Sequence, residues 1–358
     1  MKAWQLSELG GSFALTDIPV PEALPGSVVI RLQASALMSY MKDYVEGHLP
    51  IYHTPASAFV PGGNGVGVVH SVGSDVWHLS AGQRVVISSH LVAAENVRAP
   101  AQMLIGVTAN GEVSSQMQAY WPNGTLAEYC VVPARVVTAA DGLDYVPATR
   151  LAVTMRHIVP FGGLIKGRLA AGETVIVSAA TGAYGSAAVF MALAMGASRV
   201  VALGRNQDRL QALARIAGPR VVTVATTDDA KKDLLNVRNA SLGGADLAFD
   251  MVGGASDPSM TLTALRGLLP GGRLVLMGSM TVDLPIPYTE VMLNGWEILG
   301  NFMYPAQAYG RLLDLLRSGQ IDIDAIDSKV FALSDVLSAM EAATKASNLE
   351  CVVINHEV

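Results

Sequence analysis

Residues 175–193 read VIVSAATGAYGSAAVFMAL. An apolar, β-branched run leads into Ala180-Thr181-Gly182-Ala183-Tyr184-Gly185, and an alanine-rich segment follows that closes at Gly196. The order is strand, glycine turn, helix. Dinucleotide-binding folds need that order, because glycines allow a tight turn and close backbone approach while the helix N-terminus faces the pyrophosphate. Ala180 stands where the first glycine of the pattern would, a small departure. These six residues are the predicted phosphate cradle. A turn that merely docks a helix on a sheet accounts for Gly185 but not for the whole context.

Working outward, RVVALG reads as a second strand and NQDRLQALARIAG as a helix opening at Asn206. ADLAFDMVGG and GRLVLMGSM are further strands. Alternating strand and helix predicts a doubly wound parallel sheet over residues 151–303. The second strand ends Gly204-Arg205-Asn206, where NAD-binding folds usually place a carboxylate for the ribose. Gly204 leaves room, and Arg205 offers a fork of donors to a 2′-phosphate. The expected cofactor is therefore NADPH rather than NADH. Alternatively, Arg205 stacks on adenine or faces solvent and NADH serves.

A second glycine-rich stretch, FVPGGNGVGVVHSVG at 59–73, fails the same test, because strand-like residues follow it and no helix begins there. It belongs to a β-rich region, 1–150, with short runs such as SVVIRLQAS, QRVVISS and LAEYCVVP. Residues 88–125 show no clear period and read as a long excursion. After residue 304 come two amphipathic helices and a last apolar strand, ECVVIN.

Composition narrows the function. The chain has 358 residues, a net charge of −6 and 51% hydrophobic residues, which favours two well-packed domains. Without a Lys/Arg cluster or a long apolar run, nucleic-acid and membrane partners are not expected. The N-terminal segment does not read as a signal peptide. Two cysteines, Cys130 and Cys351, are far apart, so neither a disulfide framework nor a thiolate-rich metal site is expected, and a cytoplasmic setting is.

The order of FVPGGNGVGVVHSVGSDV, AGQRVV, GTLAEYCVVP, LAVTMRHIV, the nucleotide motif and GNFMYP resembles the medium-chain dehydrogenase/reductases over nearly the whole chain. That resemblance implies an α/β protein with a GroES-like β-rich catalytic domain, 1–150 plus 304–358, and a Rossmann domain, 151–303. It implies an active site in the cleft between them and a homodimer or homotetramer, with WEILGNFM at 296–303 as the candidate pairing edge. It also implies that Gly278 and Ser279, in VLMGSM, touch the cofactor through backbone.

The departures from that family are informative. Zinc-containing members place a Cys where ASALMSYMKDYVEG has Met38, and a relay hydroxyl where it has Tyr40. Their GHE is GGN here, so His becomes Gly63 and Glu becomes Asn64; a third ligand would fall at or near Arg150. Met, Gly and Arg do not build a tetrahedral N/S site, so no zinc is expected. The 88–125 lobe lacks the family's four structural-zinc cysteines. Packing of Met103, Leu104, Ile105, Met117, Tyr120 and Trp121 is the expected substitute.

Without metal, two routes remain. In one, hydride reaches the β-carbon of an enone or quinone and charge spreads onto oxygen. In the other, a carbonyl is reduced with Tyr40 as proton donor, protonated at neutral pH with an ordinary pKa of about 10. A protein that binds NADPH without turnover is the third reading. Tyr40, Asn64 and Tyr52 are the catalytic candidates, with Tyr44 secondary. Each tyrosine is otherwise an aromatic packing in the cleft mouth, and Asn64 otherwise takes a left-handed turn among glycines. His157 reads as a capping or core residue, His53 as a surface one, and Lys42-Asp43 as a solvated pair. Apolar loops at 38–60, 88–125 and 279–305 predict a small, apolar, carbonyl-containing substrate.

Overall fold

The computed structural model describes residues 1–93, 97–227 and 229–357. A hairpin, Lys2–Leu6 (β1) with Phe13–Asp17 (β2), precedes the long strand Ser27–Ala36 (β3), which leads into a one-turn helix, Met41–Val45 (α1). Gly65–Val72 (β4) and Arg84–Ile87 (β5) follow as strands, so the glycine-rich 59–73 stretch opens a strand as expected.

The described residues of the 88–125 excursion carry regular structure. It forms a three-stranded sheet of His90–Val92 (β6), Gln102–Leu104 (β7) and Thr108–Ala109 (β8), capped by helix Glu112–Tyr120 (α2). Met103 and Ile105 are buried in a shared apolar cluster, with Met117 and Trp121 packed against it. Tyr120 is 63% exposed and reaches the lobe only by packing edge-on against Trp121, their rings 4.9 Å apart. The strands are only two or three residues long, too short for a two-residue period to show.

Tyr129–Pro133 (β9) and Val137–Ala139 (β10) complete the first unit. A short helix, Ala148–Leu151 (α3), then leads into Thr154–Lys166 (α4). Next comes a strictly alternating run. It comprises Thr174–Ser178 (β11), Ala183–Ala194 (α5), Arg199–Gly204 (β12), Gln207–Ala217 (α6), Val221–Ala225 (β13) and Ala230–Ala240 (α7). It continues with Ala245–Asp250 (β14), Ser259–Arg266 (α8), Leu268–Leu276 (β15), Tyr288–Asn294 (α9) and Glu297–Gly300 (β16). These six strands form one parallel sheet in the order β13-β12-β11-β14-β15-β16, and β16 is its edge. The order reverses between β11 and β14, where doubly wound sheets leave a crevice at their carboxyl ends. Their interiors read as near-continuous apolar runs because both faces are covered, with Val175, Ile176 and Val177 at 0% exposure.

Ala308–Arg317 (α10), Asp327–Ala332 (β17), Val336–Lys345 (α11) and Glu350–Asn355 (β18) close the chain. β18 returns to the first unit and pairs antiparallel with β3, giving a seven-stranded sheet in the order β10-β5-β4-β3-β18-β17 with β9 also on β3. Among the described residues no helix is long and apolar enough to cross a membrane.

Candidate active site

A single cleft of about 1360 Å³ runs from the carboxyl ends of the parallel strands to the loops of the first unit. At its nucleotide end, β11 turns into α5 through the predicted cradle. Thr181, Gly182, Ala183, Tyr184 and Gly185 line the cleft. Ala180 does not: it is fully buried, and the left-handed residue of the turn is Ala179, with φ 52°. The tight bend thus falls one residue before Ala180, at the strand end, where a small Cβ accepts it. No side chain caps α5, so its first-turn amides are left for an anionic ligand. A Cβ on Gly185 would sit on the Ala179 carbonyl oxygen, which is why that position is glycine.

At the tip of β12, Gly204, Arg205 and Asn206, the residues expected to meet the cofactor, line the cleft together with Arg209, which the sequence reading did not name. Asn206 is committed to the helix: its Oδ1 accepts from the Arg209 amide at 2.9 Å and caps α6. Arg205 is exposed at the rim, and no carboxylate pairs with Arg205 or Arg209 among the described residues. Two guanidinium groups flanking a helix start suit a phosphate ester. Gly278 and Ser279, beyond β15, also reach the wall, facing Val252 and Gly253.

At the other end, Met38, Ser39 and Tyr40 come from the β3–α1 turn and Tyr52 from the following loop. The rings of Tyr40 and Tyr52 lie 5.7 Å apart. Burial, reinforced by Tyr52, holds the Tyr40 hydroxyl protonated well above the ordinary tyrosine range. Burial raises Tyr52 as well. Tyr44 is withdrawn from the cleft, its hydroxyl donating to the Val107 carbonyl at 2.6 Å in the core. Leu104, Val107, Met155, Val159, Met277, Phe302 and Met303 supply an apolar surround.

Asn64 is where expectation and structure differ most. It is 5% exposed and does not take the left-handed conformation; among the described residues the non-glycine positions with positive φ are Arg168, Ala179, Leu242 and Met303. Nor is it free for substrate. Its Nδ2 donates to the hydroxyls of Tyr304 at 3.1 Å and Tyr309 at 3.2 Å. Its Oδ1 accepts from the Ser89 amide at 3.2 Å and the Ser89 hydroxyl at 2.9 Å. Those four bonds use the whole capacity of the amide. Ser88 and Tyr304 share a further bond of 2.9 Å, and Tyr309 reaches Thr154 at 3.5 Å. Thus Asn64 is the hub of a buried polar network.

Tyr304, Tyr309, Ser88 and Ser89 were not singled out from sequence. Tyr304 follows Met303, whose φ of 58° bends the chain and turns the tyrosine inward. Gly162 on α4 leaves the space that Met303 and Tyr304 occupy.

The network includes Asn64, and Met38, Gly63 and Arg150 are the positions where the resemblance implies the zinc ligands of metal-containing members; the donors at those three positions do not suit zinc. Met38 offers only a thioether and Gly63 offers nothing. Arg150 turns away, its guanidinium donating to Asp324 at 2.7 Å and to the carbonyls of Ile323 and Ile326. Cys130 and Cys351 are buried in β9 and β18. Among the described residues, the one convergent His/Cys/Asp/Glu group, Asp43, Glu46 and His48, is on the surface. His157 is a core residue, with burial pushing its imidazole to about 4. His53 anchors the lobe through backbone, accepting from Gln118 Nε2 at 2.9 Å.

One class of protein has this division of labour, with an anion cradle at the switch point of a parallel sheet facing a hydroxyl-lined apolar recess: a nicotinamide-dependent oxidoreductase. Comparison with known proteins agrees. The alcohol dehydrogenase GroES-like domain matches residues 24–142, and the zinc-binding dehydrogenase family matches residues 183–318. An alcohol dehydrogenase from Moraxella sp. (strain TAE123) is 28% identical over 344 residues, 95% of this chain and 96% of that protein. An L-threonine 3-dehydrogenase from Anaeromyxobacter dehalogenans (strain 2CP-C) is 29% identical over 331 residues, 89% of this chain and 88% of its own. A thermostable alcohol dehydrogenase from Pyrobaculum aerophilum shares the fold with a TM-score of 0.77 at 22% identity over 99% of each chain. The chain belongs to the medium-chain dehydrogenase/reductase superfamily.

Proposed function

We propose that this oxidoreductase works without zinc, uses NADPH and reduces the activated C=C bond of a small apolar enone or quinone. In this reading residues 1–150 with 304–358 form the catalytic unit, and 151–303 the nucleotide unit. The observation that carries it is the saturated Asn64 amide: all four of its hydrogen-bonding positions are taken by Ser89, Tyr304 and Tyr309, at the position where the family resemblance implies a residue of the metal corner in zinc-containing members.

NADPH, held by the α5 amides and by Arg205 and Arg209, supplies hydride. The chain's own task is then to orient the acceptor and steady charge on its oxygen. Tyr40 suits conjugate reduction better than carbonyl reduction. Complete proton transfer to an alkoxide leaves a buried tyrosinate, which the Tyr40 surroundings disfavour. Donating a hydrogen bond to an enolate oxygen requires no such ionisation, and solvent can protonate the α-carbon. The apolar wall of Leu104, Val107, Met155, Val159 and Phe302 favours a hydrophobic acceptor.

The test is NADPH oxidation by EDTA-treated protein with 2-cyclohexen-1-one, followed by product identification. Cyclohexanone is expected, with rate unchanged by EDTA. Tyr40→Phe is expected to lower kcat about tenfold, the worth of one hydrogen bond. Formation of the allylic alcohol, with Tyr40→Phe losing a hundredfold or more on the order of general-acid catalysis, would move the reaction to carbonyl reduction. Binding of NADPH with no turnover of enones, quinones or ketones would favour a protein that only binds the nucleotide.

Cofactor choice has its own test. Arg205→Ala is expected to raise KM for NADPH about 10- to 100-fold and leave KM for NADH unchanged, since a charge-assisted bond contributes about 1.5–3 kcal/mol. Equal effects on both cofactors would place Arg205 against adenine rather than a 2′-phosphate.

A further inference from the structure

Behind the wall of the cleft lies a cation that no anion answers. Arg156, on α4, is 2% exposed, and its Nε and Nη1 have no hydrogen-bond partner. Two other arginines with little exposed side chain are paired: Arg273 meets Glu173 at 2.7 Å and Arg150 meets Asp324. Arg156 joins no ion pair among the described residues. Its guanidinium lies 5.5 Å from the centre of the Tyr184 ring, and Cys351 is its other neighbour. The adjacent imidazole, His157, is neutral at physiological pH and offers no counter-charge.

A guanidinium does not shed its proton, so the charge is permanent. Burying a charge without a partner is costly, and a methionine of similar length would fill the same space at no electrostatic cost. Ion pairing therefore gives no reason to keep Arg156. Its position does. Tyr184, whose ring lies against its guanidinium, lines the cleft together with Tyr40, and the flanking helix residues Met155 and Val159 line the same wall. Charge acts strongly over such distances when water is excluded.

We propose that Arg156 is a positioning residue, a buried positive charge acting through Tyr184 and Tyr40 to stabilise negative charge on the substrate oxygen. This rests on the metal-free reductase reading, in which no metal supplies that charge. It predicts a stability–activity trade-off at one residue.

The test compares Arg156→Met and Arg156→Gln, which remove the charge, with Arg156→Lys, which keeps it. With the NADP⁺-loaded protein, 4-nitrophenolate serves as a stable mimic of the enolate, its visible absorption reporting the bound anion, and neutral 4-nitroanisole serves as control. Wild type is expected to prefer the phenolate. Both neutral variants are expected to lose about tenfold in phenolate affinity while binding 4-nitroanisole as before, and the lysine variant to recover most of it. Arg156→Met is also expected to melt no lower than wild type, to keep its NADPH affinity, and to lose kcat with cyclohexenone. The proposal is overturned if the loaded wild type shows no preference for the phenolate, or if the neutral variants bind it as well as wild type. Failure of wild type to reduce enones sinks the reductase reading instead, and the phenolate comparison is unaffected by it.

Discussion

Gly185→Val is expected to abolish measurable NADPH binding in a fluorescence titration, a loss of at least about a hundredfold. Gly185 is the third residue of α5 and is buried against the turn that precedes it. Any Cβ there meets the carbonyl oxygen and carbon of Ala179 and the Cα of Ala180, all backbone atoms that cannot rotate aside. Relief requires α5 to move off the end of β11. Overpacking of this kind costs about 1–3 kcal/mol, and the same displacement withdraws the first-turn amides from the diphosphate, so both effects fall on one equilibrium. Gly182→Ala is the matched control. A Cβ at that position comes no nearer than 3.2 Å to the Ala179 oxygen, and φ is −87°, which any residue accepts. It should cost less than tenfold. Equal losses for the two variants would show that α5 does not hold the phosphates through close packing on its turn.

The nucleotide unit was legible because its signals are local. β11, the glycine turn and α5 are contiguous, and each strand of the parallel sheet is a short apolar run bounded by turn residues. Even there the bend falls one residue before Ala180, since a pattern of glycines marks where a bend is permitted and not which residue takes it. Arg209 was missed for a related reason: it lies in the first turn of α6, past the Asn206 cap, and nothing in the sequence says that this turn faces the cleft. The substrate end was less legible because it is assembled from distant segments. Asn64 meets Tyr304 and Tyr309 across 240 and 245 residues. Tyr304 lies within the quoted GNFMYP stretch, so it was on view, but nothing local says that a left-handed Met303 turns its ring inward. Arg156 likewise lies within LAVTMRHIV. Its lack of a partner is a property of the packed interior and has no sequence signature.

Asn64→Ala should be the most destabilising single change in the site, by about 3–5 kcal/mol. Truncation removes a hub whose four partners are themselves buried. The Ser89 amide and hydroxyl lose their acceptor, and Tyr304 and Tyr309 lose a donor they share. Each group left unsatisfied costs about 1–3 kcal/mol, and Tyr304 is partly rescued by Ser88 while Tyr309 keeps only the long contact to Thr154. For a chain of this length the midpoint of thermal unfolding should fall by about 5 °C. Asn206→Ala gives the contrast, because the same side chain there makes one exposed capping bond and its loss should cost about 1 kcal/mol. The two variants also separate two origins for the corner. If Asn64 only plugs a space, a side chain of similar size, as in Asn64→Leu, should restore the midpoint. If the network is what holds the corner shut, Asn64→Leu should remain as unstable as Asn64→Ala, since an apolar group answers none of the four bonds. A midpoint for Asn64→Ala within about 1 °C of wild type would show that the cluster resolvates on its own. The claim that it is a closed polar unit would then fall with it.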